Sequence, residues 1–253
     1  MSRLLVADVG NTTARVGVWN GTQVVQVSVH PTEQPHEGLA ALERLAGESQ
    51  GPCAVALCSV VPPLESRWTD RVAQRGWSCF VVCGDTPAPL VNRYREPKRL
   101  GGDRLAAAVA AVRQVGAPAV VVSLGTATVV DAVSAESEFL GGAIAAGVDT
   151  GLRALAEMTA ALPRVPLGDA AGPVGSETGE CLRAGAVIGT AALVEGLVSR
   201  MREQIGAAAR VAITGGHAEL VSRHLRVDHG VFPHLVLEGI ALLWEHNRGG
   251  RGC

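Results

Sequence analysis

A glycine turn between two apolar runs occurs twice in this chain, and it constrains the fold more than any other feature. The first copy spans 6–13 (VADVGNTT) and the second spans 121–128 (VVSLGTAT). A strand followed by a tight Gly-Thr turn can present backbone N–H groups and a hydroxyl to a phosphate. Because each copy opens one half of the 253-residue chain, we predict a duplicated domain that holds a nucleotide between its halves.

The composition narrows the class of protein. Hydrophobic residues make up 47% of the chain, charged residues make up 18%, and the formal net charge is -2, which is typical of a globular protein. Lys98 is the only lysine, so we expect no nucleic-acid partner. No uninterrupted apolar run reaches the roughly 18 residues that a membrane span needs. The six cysteines form no C-x-x-C pair. We therefore expect a soluble cytoplasmic protein with no membrane partner and with buried, reduced thiols.

The apolar runs predict the same order of elements in both halves. We predict three hairpin-joined strands over 3–30, because Asn20-Gly21 is a strong two-residue turn signal. Helices and strands follow, and a second set of three strands begins at 119. This order predicts an α/β fold of mixed sheets flanked by helices, with domains at 1–117 and 118–253.

Asp8 leads the first glycine turn and is the first candidate for chemistry. A carboxylate at a strand end, beside Gly10 and the hydroxyls of Thr12 and Thr13, suits a Mg²⁺ ion bound through ATP phosphates. The alternative is an Asx-type turn in a hairpin, which needs only Asp, Gly and Asn. The first turn alone does not decide between the two.

The second glycine turn favours the phosphate interpretation, because chance rarely places a second cradle in the same setting. Thr126 supplies a hydroxyl there, and Asp131 follows within the next strand. We interpret Asp131 as an outward-facing strand residue rather than a group of the site. The segment Thr214-Gly215-Gly216 follows a buried strand and suits an adenosine or ribose edge, with a plain strand-to-helix turn as the alternative.

A glycine-rich start to an alanine-rich helix carries the third group of candidates. Asp103 can accept a proton from a substrate hydroxyl during phosphoryl transfer. Arg104 can pair with a substrate carboxylate or a phosphate. Asp103 is also explained as an acidic residue favoured at a helix N-terminus. Tyr94, the only tyrosine, lies in the preceding loop as a packing residue or a substrate contact.

Taken together, these motifs resemble the type III pantothenate kinases, which are members of the actin, hexokinase and acetate-kinase superfamily. The match covers nearly the whole chain, and its motifs occur in the family's order. They are Asp8 to Thr12, Ser59 to Pro62, Tyr94, Pro97, 101–104 (GGDR), 123–128 (SLGTAT), 141–147 (GGAIAAG), Leu162-Pro163, Thr214 to Gly216, and 235–239 (LVLEG). So many motifs in one order make the resemblance specific.

The resemblance implies ATP-dependent phosphorylation of pantothenate, the first step of coenzyme A biosynthesis. It implies two duplicated ribonuclease-H-like domains with the active site in the cleft between them. It also implies a homodimer that binds pantothenate near its interface. The cofactors of such an enzyme are ATP, Mg²⁺ and a monovalent cation, K⁺ or NH₄⁺.

The family's site residues can be carried over one by one. Asp103 would be the catalytic proton acceptor, and Asp8 would hold Mg²⁺ through the phosphates. The expected ATP contacts are Asp8, Val9, Gly10, Asn11, Thr12, Thr13, Ala14, Arg15 and Thr126. The expected pantothenate contacts are Tyr94, Gly101, Gly102, Asp103, Arg104 and Thr178.

Three positions depart from the family pattern. Ser123 stands where the family has the Asp that binds the monovalent cation, so we expect weak or absent K⁺ activation. Gly102 replaces an alanine and Ala146 replaces a proline, which costs helix preference and loop rigidity. Because of Ser123, an alternative also stays open: the chain is a non-catalytic, regulatory relative of these kinases that binds nucleotide. The fold alone does not exclude a kinase that phosphorylates another small hydroxy acid.

Overall fold

The computed structural model describes residues 3–47 and 53–248, and the chain folds into two compact units. Unit 1 comprises Met1–Arg113 and His234–Cys253, and unit 2 comprises Gln114–Pro233. We expected domains at 1–117 and 118–253; by contacts, unit 2 begins four residues earlier than 118, and the last helix groups with unit 1.

The described elements alternate in both units. In chain order they are β1 (Arg3–Val9), β2 (Thr13–Trp19), β3 (Val24–Pro31), α1 (Pro35–Gly47), β4 (Cys53–Ser59), α2 (Pro62–Gln74), β5 (Ser78–Val82), β6 (Val91–Asn92), α3 (Gly102–Val115), β7 (Ala119–Leu124), β8 (Ala127–Val133), β9 (Glu138–Ala146), α4 (Val148–Met158), α5 (Thr178–Ile205), β10 (Arg210–Thr214), α6 (Ala218–Ser222), β11 (Gly230–Val231) and α7 (Leu235–Asn247).

The two units repeat one strand order. In unit 1 the strands lie in the order β3-β2-β1-β4-β5, and in unit 2 the corresponding order is β9-β8-β7-β10-β11. The first three strands of each set are antiparallel, and the remaining two run parallel to the first. The predicted α/β class, with two mixed sheets flanked by helices, is confirmed.

Strand alternation decides which face of the first sheet carries Asp8. Leu5 and Val9 of β1 belong to the core that α1 and α2 complete with Leu42 and Trp68. Because side chains alternate along a strand, Asp8 lies on the opposite face. Asp8 is therefore kept away from the α1 and α2 layer.

Helix α7 packs on strands β1, β2, β4 and β5, which explains why it belongs to unit 1. Leu235, Leu237 and Ile240 on this helix are almost wholly buried. Gly239 brings the helix against α3, where an added Cβ would collide with the carbonyl oxygen of Ala106. The close approach of these two backbones requires glycine at this position.

Helix α5 forms one side of the unit 2 core. Val187, Val194 and Val198 pack against the sheet residues of that core. Of the described residues, only α5 forms a helix long and apolar enough to cross a membrane, judged by length and composition. Only 33% of its most apolar stretch is buried. A core helix of a soluble protein passes the same test, so this is weak evidence for a membrane span.

The described cysteines are all free thiols, and they differ in exposure. Cys53 and Cys58 are buried, as predicted. Cys79, Cys83 and Cys181 are exposed, so the prediction of buried thiols is wrong for these three. The sixth, Cys253, lies outside the described residues.

Candidate active site

Asp8 lies near the end of β1, between two neighbouring strands. It is in register with Arg15 on β2 and with Cys58 on β4. Residues in register on adjacent strands share a face of the sheet, so the three side chains are neighbours. Asp8, the acidic group predicted beside the first glycine turn, therefore has the cationic side chain of Arg15 next to it.

Burial and, after it, the negative charge of Asp103 raise the pKa of Asp8 to about 7, although the positive charge of Arg15 opposes the shift. The same two carboxylates raise the pKa of the buried Cys58 thiol, after burial itself. Two carboxylates that share a partly desolvated site repel each other. A bound divalent cation would relieve this repulsion, so the donor set fits Mg²⁺.

The first glycine turn is tight and faces outward. The N–H of Gly10 donates to the carbonyl of Thr13 at 3.0 Å. A Cβ added at Gly10 would lie 3.2 Å from that same oxygen, which is tighter than an ordinary contact. Asn11 and Thr12 at the tip are exposed. The turn can therefore offer backbone and side-chain donors to an anion, as predicted.

The first turn of α3 lies directly against the sheet. A Cβ added at Gly102 would be 2.5 Å from the carbonyl oxygen of Val82 and 2.9 Å from the Sγ of Cys58. The glycine that departs from the family pattern thus permits a close approach. It places Asp103, the next residue, where its charge acts on Asp8.

Asp103 also has the helix-terminal role that was its alternative explanation. One carboxylate oxygen accepts the N–H of Arg104 at 2.9 Å. The same oxygen lies over Gly101, where an added Cβ would collide with it. The two interpretations of Asp103 are therefore compatible, because one carboxylate oxygen can bond the helix start while the group stays near Asp8.

Tyr94 and Arg104 come together in unit 1. The Arg104 guanidinium carbon lies 5.5 Å from the centroid of the Tyr94 ring, which is a cation–π distance. Asn92 holds the loop: its Oδ1 accepts the N–H of Tyr94 at 2.9 Å, and its Nδ2 donates to the carbonyl of Gly84 at 2.8 Å. The structure thus groups the unit 1 residues expected to contact substrate.

The second glycine turn is closed like the first. The N–H of Gly125 donates to the carbonyl of Ala127 at 3.0 Å. The carbonyl of Thr126 accepts the N–H of Gly147 at 3.0 Å and the hydroxyl of Thr150 at 2.7 Å. Thr126 itself is exposed. Its side chain is therefore accessible to a ligand.

The turn after β10 lies against the second glycine turn. Gly215 has a φ of +107°, and an added Cβ would collide with the Leu124 carbonyl oxygen. That oxygen also accepts the N–H of His217 at 3.0 Å. Two motifs singled out in the sequence are therefore adjacent at one edge of the unit 2 sheet. Nearby, the buried hydroxyls of Thr128 and Thr214 have no hydrogen-bond partner among the described residues.

Ser123 and Asp131 lie on the same sheet but are not equivalent. Ser123 is in register with Thr214, so two hydroxyls stand side by side. Asp131 is 3% exposed and faces Gly142, whose added Cβ would lie 2.6 Å from its Oδ1. The interpretation of Asp131 as outward-facing is therefore wrong. The residues in register with Ser123 are Thr214 and Val129, neither of which is a carboxylate, and Asp131 is in register with Val121.

Thr178 stands at the start of α5 and is exposed. Just before it, the backbone N–H and the hydroxyl of Ser176 both donate to Oε2 of Glu180, at 2.8 and 2.7 Å. This bonding orders the entry into the helix. Thr178 thus projects from an ordered helix start within unit 2.

Asn92 and Cys58 lie at the site but belong to none of the sequence motifs. Asn92 lies two residues before Tyr94, a spacing at which Asn side chains often bond the backbone, so a local signal was present. No local signal marked Cys58, because its place beside Asp8 depends on strand register and on the packing of Gly102.

The chain is similar to known proteins over nearly its whole length. The model of the type III pantothenate kinase family matches residues 4–200. A type III pantothenate kinase from Roseiflexus sp. (strain RS-1) is 36% identical over 97% of this chain and 99% of its own. One from Frankia alni is also 36% identical, over 96% and 99%. Among solved structures, the activator of the 2-hydroxyisocaproyl-CoA dehydratase from Clostridium difficile with bound ADPNP aligns over 99% of both chains, with a TM-score of 0.57 and 13% identity. That structure is similar in fold.

Proposed function

The chain belongs to the type III pantothenate kinase family, and on this premise we propose which residues perform its reaction. The protein is a kinase that phosphorylates pantothenate with ATP, the first step of coenzyme A biosynthesis. One observation carries the assignment of the site: Asp8 and Asp103 lie close together beside an exposed glycine turn.

Asp103 accepts the proton of the pantothenate hydroxyl as that oxygen attacks the γ-phosphorus in line. The bond to the ADP oxygen breaks, and ADP leaves with the electron pair. Arg104, held by the Tyr94 ring, pairs with the pantothenate carboxylate. Gly102 lets the start of α3 lie against the sheet, and Gly101 leaves the space beside the Asp103 carboxylate open, so both are proposed to contact pantothenate through their backbone.

Asp8 is proposed to hold Mg²⁺ through the ATP phosphates. When bound, Mg²⁺ neutralises phosphate charge that develops during transfer. The turn donates its N–H and hydroxyl groups to phosphate oxygens, and Arg15 adds a positive charge. The proposed ATP contacts are Asp8, Val9, Gly10, Asn11, Thr12, Thr13, Ala14, Arg15 and Thr126. Thr178 is proposed as a further pantothenate contact.

We further propose that the reaction needs no monovalent cation. Ser123 and Thr214 offer only neutral hydroxyls where a carboxylate would balance the cation's charge. A hydroxyl pair holds K⁺ weakly in competition with water.

The free side of α5 is proposed to pair with a second copy of the chain. Gly185, Gly189 and Leu193 share one face of this helix and are exposed. On the adjoining α4, Leu155 is 44% exposed and Met158 is 84% exposed. A helix covered by a second copy also accounts for the low burial of α5 without a membrane.

A charge placed on this face tests the homodimer. A Cβ at Gly189 meets nothing within 4 Å, so Gly189→Arg leaves the fold of one copy intact. We expect wild type to be a dimer and this variant a monomer by light scattering. Gly47→Arg, at an equally open glycine in unit 1, should remain dimeric. A dimeric Gly189→Arg protein would place the interface elsewhere.

Release of ADP from ATP and Mg²⁺ tests the proposed function as a whole. We expect release that requires pantothenate and is equal in K⁺ and Na⁺ buffers. If the protein binds nucleotide but releases no ADP with any of the small hydroxy acids tested as acceptors, a non-catalytic regulatory relative is favoured. Release with a different hydroxy acid alone would reassign the substrate. Recovery of the active protein in the soluble fraction of a cell lysate is expected for a cytoplasmic enzyme.

A further inference from the structure

Thr32 contacts both ends of the first glycine turn, although it lies outside every motif. Its hydroxyl donates to the carbonyl of Gly10 at 2.7 Å. Its backbone N–H donates to the carbonyl of Thr12 at 3.0 Å. Thr32 follows β3 directly and is 6% exposed, so both bonds are sheltered from water. One residue therefore ties the turn to the end of β3.

Each carbonyl that Thr32 holds also orients an N–H group. In a planar trans peptide the C=O and N–H bonds point in opposite directions. Anchoring the Gly10 carbonyl therefore directs the N–H of Asn11 away from Thr32, and anchoring the Thr12 carbonyl does the same for Thr13. Donors fixed before an anion arrives cost no reorganisation when it binds.

The second glycine turn is held from the corresponding place in its own unit. Gly147 and Thr150 follow the third strand of the unit 2 sheet, as Thr32 follows the third strand of unit 1. Their N–H and hydroxyl groups both donate to the Thr126 carbonyl. The repeated arrangement indicates that these bonds serve the turns rather than local packing alone.

We propose that Thr32 is a positioning residue for the nucleotide: its two hydrogen bonds set the donors of the first glycine turn towards the phosphates. The inference rests on the proposed function, because that function assigns the turn to ATP. Thr32 acts through the turn and does not contact the reacting atoms.

Three variants of the full chain separate this role from general stability. Thr32→Val keeps the side-chain shape and removes the hydroxyl, and Thr32→Ser keeps the hydroxyl. Thr69→Val is the matched control, because the Thr69 hydroxyl donates to the Ser66 carbonyl at 3.0 Å on α2, away from the turn. Amide hydrogen exchange over 9–14 reports the turn. Calorimetry with the Mg²⁺ complex of a non-hydrolysable ATP analogue reports binding.

We expect Thr32→Val to speed exchange in the turn and to weaken analogue binding by about five- to tenfold, the loss of one net hydrogen bond. The KM for ATP should rise by a similar factor, and the KM for pantothenate should stay unchanged. Thr32→Ser should bind within about twofold of wild type. Thr69→Val should match wild type in both measurements.

The inference would be overturned if Thr32→Val were indistinguishable from Thr69→Val in hydrogen exchange and in analogue binding. It would also be overturned if Thr32→Ser failed to restore the exchange and binding of wild type. Faster exchange in Thr32→Val with unchanged analogue binding would also overturn it, since the turn would then loosen without affecting the nucleotide. Failure of the proposed function shows in wild type itself, which would then either bind no analogue or bind it without releasing ADP in the presence of pantothenate.

Discussion

The carboxylate of Asp103 lies close enough to that of Asp8 for its charge to raise the Asp8 pKa. The two groups come from different elements, the start of α3 and the end of β1, and the missing side chain at Gly102 lets α3 lie against β5 and β4, the neighbour of β1. The proposed base and the proposed Mg²⁺ ligand are therefore electrostatically coupled. A substitution of one carboxylate should therefore alter the ionisation of the other.

Asp103→Asn removes the proton acceptor. At pH 8, where Asp8 is mostly ionised in both proteins, we expect kcat to fall by about 10²–10⁴-fold, the usual contribution of a general base, with little change in the KM for ATP. Asp70→Asn, an exposed change on α2, is the control and should leave kcat unchanged. Near-normal turnover in Asp103→Asn would exclude Asp103 as the base.

Binding of Mg²⁺ and nucleotide should depend on pH through Asp8. In the free protein this group titrates at about 7, and only the ionised form is a good Mg²⁺ ligand. We expect affinity for the Mg²⁺ complex of the ATP analogue to increase from pH 6 to pH 8. In Asp103→Asn the repulsion is absent, so the rise should shift to lower pH. An identical pH profile in both proteins would contradict the coupling.

Asp8 should also make the stability of the free protein pH-dependent. Its pKa is about 7 in the folded state and about 3.8 in the unfolded chain, so the folded state holds the proton more tightly. The stability from this proton is full below pH 3.8 and is lost as the pH rises through about 7. We therefore expect the Tm of Asp8→Asn to exceed that of wild type at pH 8, and the difference to shrink at pH 5. A pH-independent difference would rule out this titration as the cause.

Gly239→Ala tests the contact between α7 and α3. The added methyl group would collide with the Ala106 carbonyl oxygen, so the helices must separate. We expect a loss of about 1–3 kcal/mol in the free energy of unfolding, measured in urea. In Gly196→Ala the new Cβ meets only the flexible end of Arg200, 3.4 Å away, so that control should lose nothing.

Ser123→Asp tests the proposed independence from monovalent cations. Wild type should be equally active in K⁺ and Na⁺, because Ser123 and Thr214 offer no charge. The variant places a carboxylate beside the Thr214 hydroxyl, so we expect its activity to be higher in K⁺ than in Na⁺. Ser134→Asp, in the turn after β8, is the control and should show no preference. Strong K⁺ activation of wild type would show that other groups bind the ion.

Local turn chemistry was readable from the sequence to within a residue or two. The predicted hairpin after β2 is present, but Trp19 pairs with Val24 and Asn20 with Gln23, so the turn centres on Gly21 and Thr22 rather than on Asn20 and Gly21. The Asn20 side chain accepts the N–H groups of Thr22 and Gln23 at 2.9 Å. Both glycine turns lie between the strands that the apolar runs predicted. These features depend on residues close together in the chain, so a single sequence carries them.

Longer-range relationships were not readable. An acidic residue in an alternating strand indicates a solvent-facing position, yet Asp131 is buried because the facing residue, Gly142, leaves room for it. The apolar face of α7 indicates burial but not against which sheet. Thr32 had no signal at all, because its partners lie 20 to 22 positions earlier and meet it only after β2 and β3 pair.

The place of α7 has a consequence for synthesis on the ribosome. Unit 2 is one continuous stretch, so its core can close once Pro233 has emerged. Unit 1 begins before unit 2 but is completed after it, because the helix that packs on β1, β2, β4 and β5 is translated after unit 2. A premature stop codon before Leu235 would therefore leave one face of the N-terminal sheet without α7. Such a truncation late in the coding sequence would destabilise the part of the protein that is synthesised first.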